Sequence, residues 1–376
     1  MKSKTYCTRL FNGLHTMNDG KYSPCCLLVP AKNENLKDFS IDTHTPFEWF
    51  DSPEMDELRL QSLAGEKVDG CEVCYDVEEQ GQESARDFFN WHESTTTNDI
   101  ELRLKIFGND CNLSCHMCNP SNSSTRTKEL KSMDFYGEGG FASPKYKTIN
   151  NKRFSVFVDE IIKNIDRIKI IHFSGGEPFR AGRHFDFIKK IPKEYRRNIV
   201  LTYNTNLTSL ALRNDKFEDY ADDFKKVSLQ VSVDGYQENL AWLRYPIDID
   251  VFEANLVKYR KYIIPLQFTA TRLSLPFLRD TINYYGDKFD MAVEVASVVV
   301  KPMIMSPRNI ADDVKEKLLV DFADLFADTK MRLGPTLTQL QQDRMPELDK
   351  MFVAYVKGLD KQRGTDANKI FGKIYD

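Results

Sequence analysis

The distribution of apolar positions gives the chain a long central region with its own rhythm. Residues 100–107 alternate apolar and polar side chains, which predicts a strand with one buried face. After residue 150, the pattern predicts strands at 169–173, 198–203, 227–233, 266–271 and 293–300, and helices at 154–165, 183–191, 209–224, 251–259 and 275–285. Six strands alternating with helices indicate an α/β fold of parallel strands with right-handed crossovers, in an open or partly closed barrel.

The two flanks of this region lack the alternation. On the N-terminal side, Asp19-Gly20 between two short extended runs predicts a hairpin, and residues 53–64 read as a helix ended by Gly65. Beyond residue 301 only helices are predicted, at 311–333 and 336–358. We therefore predict three domains: 1–95, a small N-terminal domain; 96–305, a partial (β/α)6 parallel barrel; and 306–376, a helical extension.

The composition excludes several classes of protein. The chain has 376 residues, 41% of them hydrophobic and 29% charged, as is typical of globular proteins. Its net charge of −4 argues against nucleic-acid binding through a broad basic surface. No apolar run reaches the length of a membrane span, and no apolar run follows the basic start as it would in a secretory signal. We expect a cytoplasmic protein without a membrane partner.

All eight cysteines lie at or before Cys118, and most of them stand in tight groups. This distribution indicates metal chemistry in a reducing compartment rather than a disulfide framework. The densest group is Cys111-x3-Cys115-x2-Cys118, directly after the first predicted strand. Three thiolates on a cubane iron–sulfur cluster leave one iron open to a small-molecule ligand. Zinc is the alternative reading of the same residues.

A second group of thiols precedes the barrel. The predicted hairpin brings Cys7 and Cys25 towards each other, and Cys71-x2-Cys74 forms a hook beyond the predicted helix. Four thiols suit a fully ligated iron–sulfur centre or a zinc site, and their spacing does not separate the two. Cys26 reads as a spare, buried small side chain, although it could replace Cys25 as a ligand.

Polar, irregular segments follow the first four predicted strands. They are the thiol loop, Ser174-Gly175-Gly176-Glu177-Pro178, Asn204-Thr205-Asn206 and Asp234-Gly235. Because sites in such barrels lie at the carboxyl ends of the strands, we expect these segments to share one rim.

At this point the sequence resembles the radical S-adenosylmethionine (SAM) enzymes over about residues 100–300. The resemblance rests on the Cys111/Cys115/Cys118 triplet, on Gly-Gly-Glu-Pro at 175–178, and on Ser-Val-Asp-Gly at 232–235. It implies that the thiolates hold a [4Fe-4S] cluster and that SAM chelates the open iron. The residues that the resemblance assigns to SAM contacts are Gly175, Gly176, Glu177, Pro178 and Ser232.

Some of the further assignments stay open. Arg244 resembles the arginine that pairs with the SAM carboxylate, although it also reads as a solvated charge beside a helix. Asn204 and Asn206 fit a capping role as well as a cofactor contact. The backbone of His116 and Met117 is expected to face the adenine, with the Met117 thioether packing on it. Asp234 is expected to shape a turn with Gly235. No catalytic acid or base is assigned.

The N-terminal thiols resemble the opening of the SPASM/twitch pattern, which binds auxiliary clusters. Cys7, Gly20 and Cys25 match that opening, and the string after Cys71 resembles twitch-domain proteins of phage and bacterial type. In better-known members this domain follows the barrel, whereas here it precedes it. The resemblance favours an auxiliary [4Fe-4S] cluster over zinc at Cys7, Cys25, Cys71 and Cys74. A phage-encoded protein would act in the host cytoplasm.

The resemblance implies that reductive cleavage of SAM yields a 5′-deoxyadenosyl radical, which abstracts hydrogen from a substrate. A flavodoxin- or ferredoxin-like protein would donate the electron. Oxidative modification of a peptide or protein side chain is the leading reading of the substrate. The alternatives are a small-molecule oxidoreductase or cyclase and a non-enzymatic iron–sulfur or zinc protein. RNA modification lacks the basic surface that it would need.

Overall fold

The computed structural model describes residues 3–79, 81, 83–90, 96–135, 137, 141, 149–329 and 333–372. Its strands are β1 Gly13–Thr16, β2 Tyr22–Ser23, β3 Ile100–Leu104, β4 Ile168–Phe173, β5 Val200–Thr205, β6 Ala211–Leu212, β7 Asp215–Lys216, β8 Lys226–Val233, β9 Leu266–Ala270 and β10 Val293–Val298. Its α-helices are α1 Arg9–Asn12, α2 Pro46–Phe50, α3 Pro53–Ala64, α4 Glu72–Glu79, α5 Ala85–Asn90, α6 Ser124–Ser132, α7 Asn151–Lys163, α8 Gly182–Lys190, α9 Lys193–Arg196, α10 Gln237–Leu243, α11 Ile249–Lys258, α12 Leu278–Phe289, α13 Asp312–Thr329, α14 Gly334–Gln341, α15 Asp349–Arg363 and α16 Ala367–Phe371.

The backbone contacts divide the chain into two compact units. The first unit comprises 1–108, 145–203 and 211–228, and the second comprises 109–144, 204–210 and 229–376. The boundaries of the predicted domains, 1–95, 96–305 and 306–376, stay a prediction. Within the described residues, no helix is both long and apolar enough to cross a membrane.

The first unit is built on a sheet in which β3, β4 and β5 run parallel. Ile171 of β4 lies beside Leu102 of β3 and Leu201 of β5. One face of the sheet is apolar, and Phe173 stacks on Tyr203 there with ring centroids 4.9 Å apart. Helix α8 contributes Phe187 to the same aromatic core. Burial of these rings drives the packing of helix on sheet.

The N-terminal hairpin joins the same sheet. Its turn contains Gly20, whose φ of 80° lies in the left-handed region that glycine tolerates. Strand β1 pairs antiparallel with β2 and parallel with β3, so that Gly13 lies opposite Glu101. A side chain at position 13 would meet the carbonyl oxygen of Pro24 at 2.0 Å, so only glycine fits. The predicted hairpin is confirmed, and its pairing with β3 is a contact that the sequence did not predict.

The second unit contains a parallel arrangement of its own. Strand β9 pairs with β8 on one side and with β10 on the other. Its core is formed by residues of α10, α15 and the segments around them, with Trp242, Tyr355 and Leu359 fully buried. The prediction of an α/β fold with parallel strands is confirmed in both units.

Two helix predictions are wrong. Residues 209–224 contain the short hairpin β6–β7 followed by 3₁₀ turns rather than a helix, because Arg213 has a φ of 56° and Asn214 and Asp215 favour a turn. Residues 336–358 form parts of two helices, α14 and α15, since Pro346 lies in the break between them. Of the helix predicted at 311–333, residues 330–332 lie outside the described residues and Leu333 is the N-cap of α14. Helix α10 was not predicted.

Candidate functional site

The loop with three thiols lies in the second unit and ends at helix α6. Ser123 caps this helix, its hydroxyl accepting a hydrogen bond from the Arg126 backbone N–H at 3.1 Å. The same hydroxyl donates to the Leu113 carbonyl at 2.9 Å, which ties the cap to the middle of the loop. Cys115 is buried, whereas Cys111 and Cys118 are half-buried. The loop is therefore held in place by hydrogen bonds, with one thiol buried and two half-buried.

An asparagine after β5 contacts the first thiol of the loop. The Nδ2 group of Asn206 lies 3.9 Å from Cys111 Sγ and donates to Asn112 Oδ1 at 3.1 Å. Its Oδ1 accepts hydrogen bonds from the backbone and the hydroxyl of Thr208 at 3.1 and 2.7 Å. Asn206 thus combines a turn-forming role with a contact to the thiol loop, whereas Asn204 is exposed.

Arg244 and Asp234 form a buried ion pair beside the second thiol. Arg244 Nε lies 2.9 Å from Asp234 Oδ2, and Arg244 Nη1 lies 3.8 Å from Cys115 Sγ. Burial opposes the charge on Arg244, but the Asp234 carboxylate and the Cys115 thiolate raise its pKa above the usual value. The solvated reading of Arg244 is therefore wrong.

Asp234 has a different role from the turn that its position suggested. It is fully buried, and its Oδ1 accepts a hydrogen bond from the Thr269 backbone N–H at 3.1 Å. The carboxylate thus links the end of β8 to β9 and neutralises Arg244. A lone Asp-Gly in a sequence carries no sign of such a partner, and for that reason the pair was missed.

His116 is a core residue of the second unit. Its Nδ1 lies 3.1 Å from the Leu243 carbonyl oxygen, and its Nε2 lies 3.1 Å from the Thr271 hydroxyl. Because a carbonyl only accepts, Nδ1 carries the proton and Nε2 accepts from Thr271. Burial lowers the pKa of His116 to about 3, so the ring is neutral. Its neighbour Met117 is half-buried.

The Gly-Gly-Glu-Pro segment follows β4 in the first unit, as predicted. The Ser174 backbone N–H donates to the Leu104 carbonyl at 3.0 Å and continues the strand pairing. Gly175 has a φ of 137° and lies close to the Gly108 carbonyl, so a side chain would be strained there. Glu177 is buried, and Pro178 begins a 3₁₀ turn. The contacts of these residues with SAM, like that of Ser232 near the end of β8, stay predictions.

The four N-terminal thiols come together in the first unit. Cys7, Cys25, Cys71 and Cys74 line one cavity, together with Leu10, Leu28, Tyr75, Arg86 and Phe89. Burial raises the pKa of Cys7 to about 11 and that of Cys25 to about 12. Cys71 also has a raised pKa, first through burial and then through the neighbouring thiolates of Cys25, Cys7 and Cys74. The thiols of the N-terminal hairpin and of the Cys71-x2-Cys74 segment therefore line the same cavity.

Backbone N–H groups point at three of these thiols. Arg9 donates to Cys7, Leu28 to Cys25 at 3.3 Å, and Arg86 to Cys74. Donors of this kind stabilise thiolates. Asn90, at the end of α5, holds the Cys7 segment by accepting from the Thr8 backbone N–H at 2.8 Å and donating to the Tyr6 carbonyl at 2.9 Å.

Cys26 does not lie with the other thiols. It is exposed, whereas Cys25 lines the cavity, so the expectation of a buried Cys26 is wrong. Among the described residues, no three His, Cys, Asp or Glu side chains stand close enough together to hold a single metal ion.

The comparison with protein families identifies the central region. Residues 105–278 match the Radical SAM superfamily. This part of the chain is therefore similar to radical SAM domains, which supports the predicted domain and the prediction of an enzyme, and the predicted α/β fold with parallel strands is confirmed. No curated protein matches the chain.

Solved structures that match part of the chain include native anSMEcpe with bound AdoMet, at 17% identity and a TM-score of 0.42, with 61% of each chain covered. A second is native anSMEcpe with bound AdoMet and Cp18Cys peptide, at 20% identity and a TM-score of 0.36, with 52% of this chain and 50% of that chain covered. The chain therefore spans less than two thirds of these relatives, and similarity at this level carries no information on substrate.

Proposed function

We propose that the protein cleaves SAM reductively and that the resulting 5′-deoxyadenosyl radical abstracts hydrogen from a peptide or protein side chain. The observation that carries this proposal is the loop of three thiols within a radical SAM domain. Two of the three thiols have a nitrogen donor beside them, Asn206 at Cys111 and Arg244 at Cys115. Three thiols suit a [4Fe-4S] cluster with one iron left for SAM.

The three cysteines and the residues near them have distinct roles in this proposal. Cys111, Cys115 and Cys118 would hold the cluster, which when bound supplies the electron for SAM cleavage. The buried position of Cys115 excludes water from that side of the loop. Arg244, which is already paired with Asp234, supports the Cys115 thiolate. Gly175, Gly176, Glu177 and Ser232 are the proposed contacts of SAM.

The N-terminal set supports an auxiliary [4Fe-4S] cluster in a twitch-like arrangement. Four thiols complete the ligand set of a cubane, and the cavity around them is largely apolar. Zinc on the same thiols is the alternative. Analysis of iron and acid-labile sulfide separates the two readings: about eight irons per chain fit two cubane clusters, whereas zinc without sulfide at this set contradicts the auxiliary cluster.

The peptide or protein substrate rests on the likeness of the N-terminal thiol pattern to SPASM/twitch proteins of phage and bacterial type. A small-molecule substrate is the alternative within the same chemistry, and a flavodoxin- or ferredoxin-like protein is the proposed electron donor. A substrate would be recognised by a change of mass that requires both SAM and the active enzyme.

The central experiment is anaerobic reconstitution with iron and sulfide, followed by dithionite and SAM. We expect 5′-deoxyadenosine from the wild-type protein and none above background from Cys115→Ala. A Cys26→Ala protein is the matched control, because Cys26 is exposed and lies outside both thiol sets. If wild type and Cys115→Ala produce equal amounts of 5′-deoxyadenosine, the proposal is wrong.

A further inference from the structure

Four polar side chains form a buried cluster in the second unit, next to the thiol loop. Arg126 and Glu129 come from α6, whereas Tyr355 and Arg363 come from α15. Arg126 and Tyr355 are fully buried, and the side chains of Glu129 and Arg363 are only 9% and 1% exposed. Burying two guanidinium groups is costly unless they are paired and hydrogen-bonded, so their partners show what the cluster does.

Arg363 holds the carbonyl that precedes Cys115. Its Nη2 donates to the Ser114 carbonyl at 2.6 Å, and its Nη1 donates to the Trp242 carbonyl at 2.9 Å. Its Nε donates to Glu129 Oε1 at 2.7 Å. Arg363 is the last residue of α15, where Gly364 ends the helix in the left-handed conformation. The C-terminal end of α15 therefore places a planar guanidinium group, with several N–H donors, against the loop.

Arg126 and Tyr355 hold the carbonyl of His116, the residue that follows Cys115. Arg126 Nη2 donates to the His116 carbonyl at 2.9 Å, and the Tyr355 hydroxyl donates to the same oxygen. The opposite edge of the loop is held by backbone bonds, from Ser114 N–H to Tyr245 at 2.6 Å and from His116 N–H to Leu243 at 2.9 Å. Ser114 and His116, the residues on either side of Cys115, are therefore each held at both the N–H and the carbonyl group.

The two guanidinium groups are the charged groups of this cluster closest to the backbone beside Cys115. Arg126 and Arg363 share the carboxylate of Glu129, and a second buried carboxylate, Asp360 of α15, accepts a hydrogen bond from Trp242 Nε1 at 2.8 Å. Both guanidinium groups, but neither carboxylate, donate to the loop backbone. An iron–sulfur cluster held by three thiolates carries a net negative charge, which these guanidinium groups would stabilise.

We propose that α15 is a positioning element for the radical SAM cluster. Arg363 and Tyr355, together with Arg126, fix the carbonyl groups of Ser114 and His116 on either side of Cys115, and the two guanidinium groups supply positive charge that retains the cluster and raises its reduction potential. The inference rests on the proposed function in one respect, since it takes Cys111, Cys115 and Cys118 to hold an iron–sulfur cluster. It gives the helical extension a task at the cofactor.

The test uses the full-length reconstituted protein and two substitutions of the same residue. Arg363→Met removes both the planar set of guanidinium N–H donors and the positive charge, and Glu129 keeps Arg126 as its partner. Arg363→Lys keeps the positive charge but loses the planar set of donors. The matched controls are Arg196→Met and Arg196→Lys in the first unit, since Arg196 is also buried, pairs with Asp223 and donates to the carbonyls of Ile188 and Ile191.

Two quantities are measured under anaerobic conditions: iron release to a chelator and the midpoint potential of the reduced cluster by electron paramagnetic resonance. Loss of such outer partners weakens metal binding by about tenfold to a hundredfold. We expect Arg363→Met to release iron from the loop faster by that order and to have a more negative midpoint. Arg363→Lys should release iron faster with a smaller shift of the midpoint, and the Arg196 variants should change neither.

Folding is checked by circular dichroism. Should the Arg363 variants fail to fold, Tyr355→Phe, which loses only the hydroxyl, must still release iron faster than wild type. Folded Arg363 variants that behave like the Arg196 controls would overturn the inference and leave the proposed function standing. If replacing Cys111, Cys115 and Cys118 leaves the iron content of the protein unchanged, both the inference and the proposed function are overturned.

Discussion

The two thiol sets of this protein use the same ligand in opposite surroundings. Cys7, Cys25, Cys71 and Cys74 come from distant segments and line a cavity of mostly apolar side chains, with backbone N–H groups as donors. The second set lies within eight residues, and polar and charged side chains contact its thiols and its backbone.

Two of those charged side chains, Arg244 and Arg363, act at the buried Cys115 and at the carbonyl before it. An apolar shell around four thiols would suit the proposed closed centre, because nothing besides the thiols would need to reach a metal there. Three thiols with guanidinium groups beside them suit a centre that carries net negative charge and keeps one position open for a ligand. The difference therefore predicts independent centres with different tasks.

The largest effect is expected from removing each set as a whole. A Cys111/Cys115/Cys118→Ala protein should lose about four irons per chain together with all 5′-deoxyadenosine formation. A Cys71/Cys74→Ala protein should lose a similar amount of iron while SAM cleavage persists. Iron content and 5′-deoxyadenosine are measured on the same samples. Loss of all iron from either variant would contradict two independent centres.

A single substitution tests which N-terminal thiol is a ligand. Cys25→Ala should lower the iron of the auxiliary set, because Cys25 lines the cavity with its three partners. Cys26→Ala should leave the iron content unchanged, since Cys26 is exposed. Iron and sulfide are assayed after identical reconstitution. The opposite ranking of the two variants would make Cys26 the ligand.

The buried ion pair beside Cys115 should contribute strongly to stability. Asp234→Asn leaves Arg244 charged and buried without its partner, which we expect to cost about 3–5 kcal/mol of unfolding free energy. The control is Asp223→Asn, whose carboxylate is 41% exposed and should cost less than about 1 kcal/mol. Urea unfolding of the metal-free proteins gives both values. Equal losses would show that burial does not distinguish the pairs.

The smallest expected effect concerns the first unit at low pH. Burial raises the pKa of Glu101, but Arg103 and Arg9 more than offset it and lower the pKa to about 2. Ionised Glu101 therefore stabilises the fold above its unfolded pKa of about 4.3, and this contribution of about 3 kcal/mol is lost as the pH falls towards 2. In Glu101→Gln the unfolding free energy should fall less steeply as the pH is lowered, as measured by urea unfolding at several pH values. A decrease as steep as that of wild type would contradict this role of Glu101.

Much of the fold follows from local pattern. The alternation at 100–107 and the apolar runs after it predict the strands because burial of one face has a period that the sequence itself carries. Helix α3 has the predicted bounds, since Ser52 caps its start and Gly65 adopts the left-handed conformation at its end. The helix prediction for 209–224 was wrong because the apolar residues of this segment are compatible with either a helix or a pair of turns. The packing of the surrounding residues selects between these two structures.

The sequence by itself determined the thiol spacings, the glycine-rich turn after β4 and the order of the elements, because each depends on residues close together in the chain. Only the tertiary structure decided that Asp234 pairs with Arg244, that Cys25 rather than Cys26 joins the N-terminal set, and that Arg363 reaches the Ser114 carbonyl from 249 residues away. Such contacts join segments with no local signal, and they form because buried charges and carbonyls must find partners wherever the fold brings them.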